Sequence, residues 1–317
     1  MQTMVTAART LAAAIVSLSF TAGACENARR ASDPSPAGPG SSAPSATPSS
    51  PVEASAPAAG APDRSTSTVP SPCPPSTTLV EGSYCNDLRH WCLEGYPSIG
   101  APWTKYYPGG ALGVTYCEKY VVGKTECRGG ERPLRFCIDT YEHPGKGEKP
   151  TVMVSWLDAD RLCKARSERL CNDDEWTLAC EGPERTPYPY GWERDETACN
   201  IGKDLPPHRS NEKIYSKDPA VSQAELDRLD LRVPSGSMPR CVSPFGVYDM
   251  TGNADEWCRS VTNKAASMTR APFVSVFKGG HMLGKVRNRC RPETNAHGPE
   301  FYYHVEGFRC CADVRAQ

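Results

Sequence analysis

Three groups of residues in this chain of 317 could do chemistry. The first is a set of 16 cysteines. The second is the run Asp249-Met250-Thr251-Gly252-Asn253-Ala254-Asp255-Glu256, three carboxylates and a Gly-Asn turn within eight residues. Calcium takes several hard oxygen ligands from carboxylates and backbone carbonyls on such loops, although the spacing is not that of an EF-hand. A solvated acidic turn reads the same way. The third is His281, His297 and His304, whose imidazoles suit copper, iron or zinc. Their spacing carries no ligand signature, and three surface or hydrogen-bonded histidines read alike.

The cysteines constrain the compartment. No paired C-x-x-C zinc spacing is present, and so many thiols in a reducing cytosol would need metals to hold them. They read as disulfides of an exported protein. Lys plus Arg number 36 against 37 Asp plus Glu, a net charge of −1, which argues against a nucleic-acid partner. The N-terminus fits export: Arg9, the uncharged run Leu11 to Phe20, then Ala22-Gly23-Ala24 as a cleavage pattern. Residues 1–24 therefore read as a signal peptide. Small residues before Cys25 resemble a bacterial lipobox, in which that cysteine is lipidated and tethers the protein to a membrane. Ordinary signal cleavage would leave Cys25 a spare thiol.

Residues 25–72 form a Pro/Ala/Ser block. From residue 26 it holds ten prolines and no aromatic residue. It cannot bury enough apolar surface to offset its ordering entropy and reads as an extended tether. All six Trp, all 13 Tyr and 15 of the cysteines follow, from Cys73 on. Residues 73–132 are Gly- and Pro-rich with poor periodicity, and read as a loop-rich, disulfide-stapled lead-in segment. Residues 133–317 read as the main domain.

There, Arg135 to Glu142 alternates as a strand. Ser155 caps a helix, with Asp158 three residues on, and Trp156, Ala159, Leu162 and Cys163 share one face. Asn172 caps a second helix whose first turn holds Asp173, Asp174 and Glu175, and Gly182-Pro183 stops it. Residues 202–240 give no strand, and Gln223 to Leu231 reads as a short surface helix. Trp176 and Trp257 are most simply core aromatics with satisfied N–H groups.

Taken in order, the motifs resemble the formylglycine-generating enzyme, or sulfatase-modifying factor, family. They are Phe136-Cys137-Ile138-Asp139-x-Tyr141-Glu142, Val154-Ser155-Trp156-x-Asp158-Ala159 and Arg169-Leu170-Cys171-x-x-x-Glu175-Trp176. Tyr188-Pro189-Tyr190-Gly191, Phe245-Gly246-Val247-Tyr248-Asp249-Met250-x-Gly252-Asn253-x-x-Glu256-Trp257, Lys278-Gly279-Gly280 and Gly307-Phe308-Arg309-Cys310 complete the set. The resemblance implies an α+β fold, related to C-type lectins, with little regular secondary structure. It also implies calcium held by Asp249, the carbonyls of Gly252 and Ala254, and Glu256. A second calcium site would use Asn200 and Ile201, its other half falling in the divergent 202–240 region.

The active enzymes of that family use two copper-binding cysteines to oxidise a sulfatase cysteine. The matching positions here are Gly284 and Arg289, neither a thiolate. Cys290 matches a structural cysteine instead. The resemblance pairs Cys180 with Cys290 and Cys163 with Cys310. Cys171–Cys311 and Cys199–Cys241 are further expected bridges. The leading expectation is a binding or scaffold protein with a peptide or protein ligand. The wider superfamily includes the non-haem iron sulfoxide synthases of ergothioneine synthesis. The second expectation is accordingly a divergent iron or copper oxidoreductase that acts on a protein or thiol substrate through His281, His297 and His304 or through an unpaired cysteine.

Overall fold

The computed structural model describes residues 71–95, 117–262, 274–283 and 287–315. The signal peptide, Cys25, nearly all of the tether, and Gly284 lie outside the described residues. Among the described residues ten strands run in chain order: β1 (Thr77–Cys85), β2 (Leu88–Gly95), β3 (Cys117–Cys127), β4 (Glu131–Asp139), β5 (Arg169–Leu170), β6 (Asp255–Arg259), β7 (Ser275–Lys278), β8 (Glu293–Thr294), β9 (Glu306–Phe308) and β10 (Cys310–Asp313). The helices are α1 (Trp156–Ala165), α2 (Asp173–Glu181), α3 (Asn211–Ile214) and α4 (Pro219–Leu229). Sheet A has the order β1-β4-β10-β5, sheet B the order β8-β7-β6-β9, and β2 and β3 form a two-stranded hairpin. This is the α+β, mostly irregular architecture expected.

The helix starts follow local chemistry. Ser155 Oγ accepts from Asp158 N at 3.1 Å, while Asp158 reaches back to Ser155 N. Glu175 Oε2 accepts from Asn172 N at 2.9 Å. Gly182 ends α2 at φ 65°, where a Cβ would press on Pro244. The surface helix begins earlier than Gln223, because Asp218 caps it and Pro219 fills the first helical position.

The described residues of the lead-in segment are strand-rich, which corrects the loop-rich expectation for them. β1 pairs with β4 along its whole length, from Thr77↔Asp139 to Cys85↔Glu131. It belongs to the central sheet, and Cys73–Cys137 fastens its start. The β2–β3 pairing carries register shifts that break the period-two pattern a sequence would show.

Seven disulfides staple the described residues. Cys163–Cys310, Cys180–Cys290, Cys171–Cys311 and Cys199–Cys241 join the residues named above. Cys73–Cys137, Cys85–Cys127 and Cys92–Cys117 complete the set, and Cys258 is a buried free thiol. One core cluster gathers Val80, Phe136, Ile138, Trp176, Leu178, Met250 and Val276, and another Trp156, Leu170, Trp257, Phe277 and Phe308. The two indole N–H groups are satisfied, Trp176 by Glu256 at 2.7 Å and Trp257 by the Val154 carbonyl at 2.9 Å.

Candidate functional site

The acidic loop runs into β6 through three left-handed residues, Asp249, Gly252 and Asn253, at φ 56°, 82° and 54°. Gly252 is required there, because a Cβ would collide with the Asn200 carbonyl and Ile201. Beneath the loop lie three buried carboxylates, Glu142, Asp249 and Glu256, and one fully buried guanidinium, Arg309. Arg309 Nε and Nη2 donate to Glu256 Oε2 and Oε1, each at 2.6 Å. Glu142 accepts from Ser235 Oγ and Asn253 Nδ2, both at 2.7 Å, and from Ala254 N at 3.1 Å. Burial, then the charges of Asp249 and Glu256, push the Glu142 carboxyl well up. Burial also lifts Asp249 to about 6.

These oxygens are of the kind calcium takes. The side chains of Glu142, Asp249 and Glu256 do not bring ligand atoms within 4.8 Å of one another, and the Glu256 oxygens already accept from Arg309 and Trp176. The second set lies against the first: Asn253 N donates to the Asn200 carbonyl at 2.9 Å. Asn200 Nδ2 donates to the Leu231 carbonyl at 2.9 Å and to Asn253 Oδ1 at 3.0 Å. Asn200 is thus bonded directly to Leu231, and Asn253 links it to Val233.

The three histidines do not converge. Among the described residues, Asp139, Glu168 and Cys310 are the only three His, Cys, Asp or Glu side chains with ligand atoms all within 4.8 Å of one another. That trio is no metal site, because Cys310 is disulfide-bonded and Arg166 sits between the carboxylates. His297 stacks on Phe301 at 3.8 Å between ring centroids. His304 is buried with an unpartnered Nε2, and burial lowers it to about 4. His281 Nδ1 accepts from Leu283 N at 3.2 Å, and burial lowers it likewise to about 4. The described residues do not fit copper or iron.

Of the two positions that match the copper cysteines, only Arg289 is described. It is buried and donates to the Tyr120 hydroxyl. Cys290 is committed to Cys180.

A buried charge cluster under this loop has no counterpart in the sequence reading. Asp255 on β6 and Glu306 on β9 are register partners. Arg287 clamps both Asp255 oxygens, and Gly280 N donates to Asp255 Oδ1 at 3.1 Å. Glu306 has an unpartnered Oε2, and burial followed by the Asp255 charge pushes it up to about 8. Asp255 was visible only as part of an acidic run, and Glu306 only as the residue before Gly307-Phe308-Arg309. A cleft of about 1160 Å³, lined by Asp139, Glu142, His143, Arg166, Glu168 and Arg169 among others, reaches Glu142 of the acidic set and shares no residue with the 281–290 loop.

Residues 114–314 match the sulfatase-modifying factor enzyme 1-like domain. An inactive Cα-formylglycine-generating enzyme 2 of Mus musculus is 30% identical over 181 residues, 54% of this chain and 53% of the relative. A formylglycine-generating enzyme of Thermomonospora curvata is 27% identical over 184 residues, 52% of this chain and 55% of the relative. The chain thus spans about half the length of these curated relatives. The solved structure of PvdO from Pseudomonas aeruginosa aligns with 77% of this chain and 97% of its own, at 17% identity and a TM-score of 0.41.

Proposed function

The chain belongs to the sulfatase-modifying factor family, and on that premise we propose that it is an exported binding or scaffold module and not a formylglycine-generating oxidase. The observation that carries this is the state of its cysteines. Fourteen of the 15 described cysteines are bridged, and Cys258 is fully buried. Burial raises the Cys258 thiol well above its ordinary range, away from the thiolate that copper needs. The name of the mouse relative, which marks that protein inactive, supports the same reading.

Export is supported by seven disulfides, which persist in oxidising compartments. Among the described residues no helix is long and apolar enough to cross a membrane. A lipid on Cys25 and the 25–72 tether would then hold the domain off a membrane surface. Calcium at Asp249, Gly252, Ala254 and Glu256 would stiffen the loop, and a peptide or protein segment is the ligand class proposed. No oxidative step is derived, because the histidines do not converge.

The test is direct. Copper-supplemented protein is incubated with a peptide carrying a sulfatase-type cysteine, and the product is read by mass spectrometry. Unchanged peptide is expected. Conversion of cysteine to formylglycine overturns the reading.

A further inference from the structure

β1 has β4 on one side and, among the described residues, no strand on the other. The phase of the hydrogen bonds identifies the groups that face outward. Thr140 N donates to the Ser76 carbonyl at 3.1 Å, and Asn86 N donates to the Gly130 carbonyl at 3.0 Å. Both bonds continue the unbroken β1–β4 register, so the even-numbered residues between them bond to β4. The odd-numbered residues turn their N–H and C=O groups the other way. Thr77 N donates to the Pro74 carbonyl, and the Cys85 carbonyl accepts from Arg291. The N–H and C=O groups of Leu79, Glu81 and Ser83 meet no hydrogen-bond partner among the described residues. Burial agrees with this phase. Val80 and Tyr84 are buried, Glu81 and Ser83 are exposed, and Leu79 is half-buried.

We propose that this edge receives an extended segment of another protein as an added strand. The open N–H and C=O groups of three alternate residues match the main chain of such a segment. The edge lacks the features that block strand addition. β1 runs nine residues with no bulge, Pro or Lys, and its one charge, Glu81, is engaged by Arg135 at 3.1 Å. The other edge strands of the two sheets, β5, β8 and β9, have only two or three residues, and the β2–β3 hairpin is bulged. Cys73–Cys137 and Cys85–Cys127 fasten both ends of β1, so little order is lost on pairing. A second copy fits less well, because the antiparallel register that uses all three residues sets Glu81 opposite Glu81. The proposal rests on the binding-module reading and gives it a site. Formylglycine formation would overturn that reading, whereas the outcomes below bear on the edge alone.

The test uses the full mature chain with Cys25→Ala, which keeps it in solution. In the free protein, amide exchange read by NMR should be fast at Leu79, Glu81 and Ser83 and slow at Val80 and Gly82. A displayed library of random nine-residue peptides is then selected on this protein, and the tightest binder is synthesised. It should protect the three edge amides. Methylating its main-chain nitrogens in one alternate phase should weaken binding on the order of tenfold, and in the other phase far less. Glu81→Pro removes an outward N–H without touching a bond to β4, and should weaken binding to a similar degree. Near-UV circular dichroism checks that this variant is folded, and the methylated peptides need no variant. Edge amides already protected in the free chain, no selected peptide that protects them, or binding indifferent to the phase of methylation overturns the proposal. So does a concentration-dependent dimer that Glu81→Pro dissolves, which would give the edge to a second copy.

Discussion

Asp255 and Glu306 are register partners on the parallel strands β6 and β9, both buried, and only Asp255 has a guanidinium across both of its oxygens. Arg287 gives the first carboxyl a counter-charge, while burial with the neighbouring Asp255 charge drives Glu306 up to about 8.

A pH dependence follows from Glu306. Its folded value is raised above the unfolded one, so its contribution is full below about 4.5 and is lost as pH rises toward about 8. The slope is at most ~1.4 kcal/mol per pH unit. Glu306→Gln should flatten the melting temperature over that window. An unchanged alkaline decline in the variant would locate the effect elsewhere.

His281 and His304 act in the opposite direction. Burial lowers both to about 4, so their contribution is present above about 6.5 and is lost as pH falls toward about 4. His304→Gln should reduce the acid-side loss and leave the alkaline side as it is. Thermal melts between those limits, with each variant, separate the two windows.

Calcium should raise the melting temperature, and chelation should reverse the rise. Asp249→Ala should abolish the shift while Arg309 and Glu256 stay paired. Glu256→Ala should abolish it too, but at a further cost of about 3–5 kcal/mol, because Arg309 is left buried without its counter-charge. If calcium still raises the melting temperature of Asp249→Ala, the site lies elsewhere.

Cys258 sets a thiol count. The native protein should not react with a thiol reagent, since Cys258 is buried on β6. Denatured without reductant, it should release one thiol if Cys25 is acylated and two if Cys25 is free. Removing Cys171–Cys311 by a paired change to Ala should cost about 2–5 kcal/mol. Urea melts of that double variant measure it.

Features set by neighbouring residues were legible in the sequence. Ser155 with Asp158 and Asn172 with Glu175 fixed both helix starts, because a cap is decided within one turn. Bridges such as Cys163–Cys310 came from family resemblance, since cysteine spacing leaves the pairing open. β1 was missed because its partner, β4, lies more than 40 residues away and the intervening β2–β3 hairpin is bulged. The Asp255–Glu306–Arg287 cluster was missed for a related reason. Asp255 meets Glu306 only through strand register, and nothing local to either residue signals the other.

The last strand described sits in the middle of sheet A. β10 lies between β4 and β5, and its adjacent Cys310 and Cys311 reach back to Cys163 and Cys171. Until β10 arrives, β4 has no partner on that side, and two earlier cysteines, Cys163 and Cys171, have no native mate. Completion of sheet A must therefore wait for the C-terminal stretch. A chain interrupted shortly before Cys310 would be left with these two thiols open to the wrong bridges.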